Sequence, residues 1–164
     1  MTSIYQRASA YHQDRFSIIE DMYHQCRELI CQKHASVMDW LKHLPYFYEN
    51  DHQIFVHAGI EVIDYQPELW KQVSTVNTYL MKYSASQGQF YKKVIAGHIG
   101  THQVSGQSDF HRICCLGDFI YLDSSVITTQ FLNVLQYDCQ TCRYQGLIKK
   151  NQQWQTYDIA HFNK

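Results

Sequence analysis

The chain has 164 residues, long enough for one domain that hides roughly 68–70% of its unfolded surface without a disulfide staple. Fourteen Lys and Arg against fifteen Asp and Glu leave a formal net charge of −1, which excludes the basic footprint of a nucleic-acid or anionic-membrane binder. The longest apolar runs, Ile54–Val56 and Val94–Ala96, fall far short of the roughly 18 residues of a membrane span, and no basic stretch followed by an apolar one opens the sequence, so a cytoplasmic protein with neither a nucleic-acid nor a membrane partner is expected.

Apolar residues at 45%, with 13 Tyr, 8 Phe and 3 Trp, point to a folded chain rich in sheet, and seven Gly with two Pro leave little material for linkers. One domain over 1–164 is the expectation. The six cysteines are read as reduced thiols, because without a secretory signal an even count does not argue for disulfides.

In chain order, Ile18, Ile19, Met22, Tyr23, Cys26, Leu29 and Ile30 recur at three- and four-residue spacing, predicting an amphipathic helix from Ser17 to about His34 capped by Asp14 or Ser17. A short helix from Ser36 to about His43 carries Val37, Trp40, Leu41 and Leu44 on one side and is stopped by Pro45. Tyr46–Glu49, the Asn50-Asp51 turn and Gln53–His57 read as a hairpin whose second strand is buried on both faces. Pro67 to about Tyr83 reads as one helix with Leu69, Trp70, Val73, Val76, Leu80 and Met81 inward. A buried strand follows at Val94–Ala96, then antiparallel strands at Arg112–Leu116, Phe119–Leu122, Gln130–Tyr137, Tyr144–Ile148 and Trp154–Ile159, the first two joined by a Gly117-Asp118 turn.

Two buried strands end alike. Ile54-Phe55-Val56 runs into His57-Ala58-Gly59, and Val94-Ile95-Ala96 into Gly97-His98-Ile99-Gly100, so each sets an imidazole beside glycine where the backbone leaves the sheet; Phe119–Leu122 delivers Asp123 in the same way. Ligands of helix-covered sheets bind beyond the strand ends, and neutral imidazole is the commonest metal ligand. One histidine after an apolar strand is ordinarily a polar residue leaving the core; two in one chain, each against Gly, indicate a site.

The segments Leu44-Pro45-Tyr46-Phe47-Tyr48-Glu49, Ile54 to Ile60, Val94 to Thr101 and Ile120-Tyr121-Leu122-Asp123 resemble the C-terminal part of the calcineurin-like metallophosphoesterases, above all the bacterial and phage serine/threonine protein phosphatases and the symmetrical dinucleoside tetraphosphatases. The resemblance runs from about residue 36 to residue 137. It implies an α/β fold: the C-terminal half of a metallophosphoesterase-type β-sandwich flanked by helices, with an antiparallel C-terminal sheet. It implies His57 and His98 as metal ligands, two divalent ions (manganese, iron or zinc) in the complete family with at most one weakly bound here, and a phosphorylated protein or a nucleotide as substrate.

The departures are equally informative. The Asp-x-His, Gly-Asp-x-x-Asp-Arg-Gly and Gly-Asn-His-Asp/Glu blocks that supply most ligands in that family are absent, and Thr2-Ser3-Ile4-Tyr5 resembles a stretch that follows the last of them. The expectation is therefore an N-terminally truncated hydrolase, with apolar sheet surface left uncovered and a tendency to self-associate. The contrasting expectations are a non-catalytic remnant or interaction module of the same fold, and a dinucleoside tetraphosphatase-like hydrolase. Ile99-Gly100 replaces the usual Thr-Pro, and Asp123-Ser124-Ser125 stands where Asp-Gly-Gly or Asp-Thr-Gly is usual in that family, so a different loop backbone is expected there.

Cys139-Gln140-Thr141-Cys142 could be half a zinc site or a redox pair. A four-thiolate site needs a second pair, and Cys114-Cys115 has the wrong spacing because neighbours on a strand face opposite ways, so Cys139 and Cys142 are read as plain turn thiols. His102 follows His98 by four, but Gly97 and Gly100 argue against a helix carrying both, which leaves His102 as a supporting or surface group. His12, His24, His34, His43 and His52 show no ligand spacing and are read as solvated.

Overall fold

The computed structural model describes residues 4–150 and 153–162, with side chains described over 16–149 and 153–162. Thr2, Ser3 and the His12 side chain lie outside these. Backbone contacts divide the chain into two compact units, Met1–Leu44 and Pro45–Lys164.

The first unit is helical because nothing in it stops a helix: neither Pro nor Gly occurs before Pro45. α1 spans Ile4–Lys33 and α2 spans Ala35–Lys42, separated by His34 at φ −126°. Asp14 and Ser17 therefore lie inside α1 rather than at its cap. The expected inward face is not buried within the unit: Ile18, Met22 and Leu29 of α1 and Trp40 of α2 stay exposed, because two consecutive helices have too little mutual surface to cover both stripes.

The second unit is mixed α/β. A six-stranded mixed sheet has the order β1-β2-β3-β5-β4-β9, and β6-β7-β8 form a separate antiparallel sheet. The strands are β1 (Phe47–Glu49), β2 (Gln53–Val56), β3 (Lys93–Ala96), β4 (Cys114–Leu116), β5 (Phe119–Tyr121), β6 (Asn133–Asp138), β7 (Arg143–Lys150), β8 (Gln153–Tyr157) and β9 (Ala160–His161). β2, β3 and β5 run parallel, in register Val56 to Ala96 to Tyr121. The carboxyl ends of three strands thus meet at one edge. The expected antiparallel run at the C-terminus holds for β6 to β8, whereas β9 returns to the first sheet and pairs parallel with β4.

Alternation along the strands sorts the core into two clusters. Ile54, Val56, Val94, Ala96, Leu116, Phe119 and Tyr121 face Trp70, Tyr79 and Val104 from the connecting helices. Ile95, Cys115 and Ile120 face Leu135, Tyr144 and Tyr157 of the three-stranded sheet. Cys114 and Cys115 go to opposite faces as the spacing predicted. Trp70 is fully buried, meets Phe47 edge-on at 4.9 Å and donates its indole N–H to the Tyr91 hydroxyl at 2.9 Å. At the strand starts the second face is polar: Gln53 donates to the Tyr144 hydroxyl at 2.7 Å, and Lys93 pairs with Asp118.

Three local expectations need correction. The strand at Ile54–Val56 is not buried on both faces, since Phe55 is 37% exposed; the second sheet meets β2 at Gln53, while Phe55 packs against Tyr48 of β1. The helix expected over Pro67–Tyr83 is a 3-10 turn (Pro67–Leu69), α3 (Trp70–Val73) and α4 (Val76–Met81). Thr75 ends the first run and caps the second, exchanging hydrogen bonds with Thr78, and this break resets the phase. Thr78 and Tyr79 are buried, while Val76, Leu80 and Met81, expected inward, are exposed. Two further short helices, α5 (Thr101–Ser105) and α6 (Val126–Thr129), occupy stretches without helical periodicity.

Candidate metal-binding site

The parallel register brings the residues after β2, β3 and β5 to one level, and backbone hydrogen bonds lock them there. Gly97 N–H donates to the His57 carbonyl at 2.8 Å, Leu122 N–H to Ala96 at 2.9 Å and Thr101 N–H to Asp123 at 2.7 Å. Two residues 41 apart in sequence meet as a result: His57 Nε2 lies 3.2 Å from His98 Nδ1.

His98 is held in an uncommon conformation. Its φ is +63°, and Ile99 N–H reaches back over it to the Gly97 carbonyl at 2.7 Å, a tight γ-turn of the positive-φ kind that is rare and strained. Such strain persists where surrounding structure over-determines it, and it clusters at ligand sites. The turn aims Nδ1 of His98 at His57, while its Nε2 is buried with no hydrogen-bond partner among the described residues. Tyr83 stands edge-on to the His98 ring at 5.8 Å. His57 is exposed and His98 half-buried, so one imidazole is anchored and the other faces solvent.

The spacing suits chelation. Imidazole nitrogens about 2.0–2.1 Å from one cation lie about 3 Å apart at a right angle and about 3.4 Å apart at the tetrahedral angle; the observed 3.2 Å falls between. Without a cation, one ring donates its N–H to the other.

Asp123, delivered by the third strand, is engaged in its own loop, where its Oδ1 accepts from Ser125 N–H at 2.7 Å. Ser125 has φ +56°, the left-handed conformation a glycine would take more cheaply. Ser125 thus takes the conformation that the sequence reading held to be costly for serine. Among the described residues no group of three or more His, Cys, Asp or Glu is arranged to hold a metal.

His102 lies on α5 and His98 before it, so the two share no helical face, in keeping with the sequence reading. His102 is less superficial than expected. Its Nδ1 and that of His111 are buried without partners among the described residues, and the rings lie 6.1 Å apart. Gly100 lies against them: a Cβ there would sit 2.5 Å from Cε1 of His102 and displace that ring. Sequence reasoning missed Tyr83, which the fold sets against His98, and His111, which it sets against His102; nothing in their sequence spacing marks either. His24, His34, His43 and His52 are exposed. Of the thiols, burial pushes Cys115 up to about 11, which makes it a poor nucleophile at neutral pH.

No helix among the described residues is long and apolar enough to cross a membrane. Comparison of the chain with protein-family models, with curated proteins and with solved structures finds no match.

Proposed function

We propose that this chain is a metal-dependent phosphoester hydrolase of the calcineurin-like type, in which His57 and His98 hold one divalent cation of the manganese, iron or zinc class. The 3.2 Å approach of His57 Nε2 to His98 Nδ1 across two parallel strand ends carries the reading. The resemblance of the His57-Ala58-Gly59 and Gly97-His98 segments supports it, as does a mixed sheet backed by an antiparallel one, which this reading takes as the second half of the family's sandwich. The substrate class is a phosphorylated protein or a nucleotide.

When bound, a divalent cation lowers the pKa of a coordinated water and neutralises charge on phosphoryl oxygens. The chain's own part is to hold two neutral imidazoles at chelating distance. The His98 γ-turn supplies orientation, and the exposed His57 leaves the substrate side open. Two imidazoles do not fill a coordination sphere, and no third donor stands beside them among the described residues. That observation favours a second reading: a non-catalytic module that keeps the fold and binds metal weakly without turnover.

The test pairs binding with catalysis. Titration of Co2+ or Zn2+ against a chromogenic chelator should show one weak site that His57→Ala and His98→Ala each abolish. Manganese-dependent release of p-nitrophenol from p-nitrophenyl phosphate, lost in His57→Ala, establishes the hydrolase. Metal binding with no turnover establishes the module, and binding unaffected by both substitutions overturns the site.

A further inference from the structure

The β6–β7 hairpin ends in a loop whose two cysteines have no part in the histidine site. Its ladder pairs Tyr137 with Tyr144 and Asp138 with Arg143. That last pair closes a four-residue turn that begins at Cys139 and ends at Cys142. The Tyr137 and Tyr144 rings lie 4.6 Å apart. The Cys142 thiol, with a smaller contribution from Cys139, lies near enough to the Tyr137 hydroxyl to push the phenol up to about 12. Both thiols therefore gather near the same tyrosine.

The loop is also pre-shaped. Asp138 Oδ1 accepts from Gln140 N–H at 2.8 Å, and its Oδ2 from the Thr141 hydroxyl at 2.7 Å. Cys142 takes φ +55°, turning the chain back into β7. The first and last residues of a four-residue turn have Cα atoms less than about 7 Å apart, which overlaps the roughly 4.4–6.8 Å that a disulfide spans. Both thiols are exposed, and a cavity of about 570 Å³ lined by Cys139, Tyr137, Arg143 and Gln145 leaves room for a small reagent.

The geometry points to Cys139 and Cys142 as a reversible dithiol/disulfide site, oxidised by a low-molecular-weight disulfide such as oxidised glutathione. One cysteine thiolate attacks a sulfur of the reagent, breaking its S–S bond and releasing one reduced thiol. The second thiolate then attacks the mixed disulfide at the protein sulfur, forming the Cys139–Cys142 bond and releasing the second thiol. Two protein thiols lose two electrons and two protons, and the reagent's disulfide gains them.

The test exposes the full chain to oxidised glutathione, quenches with iodoacetamide and maps the peptides by mass. The peptide carrying Cys139 and Cys142 should be lighter by two hydrogens and carry no glutathione, while exposed Cys26 takes up glutathione; dithiothreitol should restore both. Cys142→Ser should leave Cys139 trapped as the glutathione adduct. Asp138→Ala, which releases the loop, should slow closure without changing the rate at Cys26. Separate glutathione adducts on Cys139 and Cys142 in the wild-type chain would overturn the proposal, as would stoichiometric zinc held by both thiols.

Discussion

Gly117 is the position at which a single methyl group should do most damage, and Gly106 is its internal control. Both have left-handed backbones, φ +70° and +76°, so alanine at either carries the same conformational penalty of about 1–2 kcal/mol. At Gly106, past the end of α5, an added Cβ meets nothing within 4 Å. At Gly117, in the two-residue turn between β4 and β5, it would lie 2.1 Å from the Gly88 carbonyl oxygen and 2.6 Å from its carbon. That carbonyl is fixed: it accepts from Asp118 N–H at 2.9 Å, while Gly88 N–H donates to Leu116 at 3.2 Å. Relieving the clash must break both bonds, each worth about 1 kcal/mol net. Gly117→Ala should therefore cost about 3–4 kcal/mol and Gly106→Ala about 1–2 kcal/mol. Equilibrium urea unfolding, followed through the fluorescence of buried Trp70, measures both. Equal losses for the two variants would refute the steric argument and leave only the dihedral penalty.

Trp70→Ala should cost about 3–5 kcal/mol, read in the same titration, because Trp70 is fully buried and anchors the helices to the sheet through Phe47 and Tyr79. Burial pushes Glu49 up, but its hydrogen bonds to and the charges of Lys71 and Lys92 outweigh this and hold the carboxyl below its usual range. Its stabilisation is thus present above the unfolded pKa of about 4.3 and lost as pH falls through the lower folded value; Glu49→Gln should be less stable than wild type at pH 7, with the difference vanishing in acid. Ser125→Gly should stabilise by about 0.5–1 kcal/mol, since it removes the left-handed serine while Asp123 keeps its bond to the same N–H; calorimetry showing a lower Tm would count against this.

Much of the fold was legible because its signals are local. Apolar runs named β2 and β3, Gly117-Asp118 named its turn, and three- and four-residue apolar spacing named the helix over Ser17–His34, although α1 already begins at Ile4. The facing of α4 was not legible. Val76, Leu80 and Met81 have the spacing of an inward stripe, yet the Thr75 cap restarts the helix in another phase and buries Thr78 and Tyr79 instead. α5 and α6 carry too few turns for any periodicity to show.

By itself the sequence determined which residues could do chemistry: imidazoles set beside glycine at two strand ends, in a near-neutral chain without a basic surface. Only the tertiary structure decided which of them meet. Parallel pairing of β2 with β3 closes the 41-residue gap between His57 and His98, whereas Asp123, equally placed at a strand end, turns into its own loop. The turn that closes the β6–β7 hairpin likewise brings Cys139 and Cys142 to its two ends. Spacing along the chain records only local geometry, and strand pairing is a long-range contact in which hydrogen bonds and burial over the whole sheet choose one partner among many.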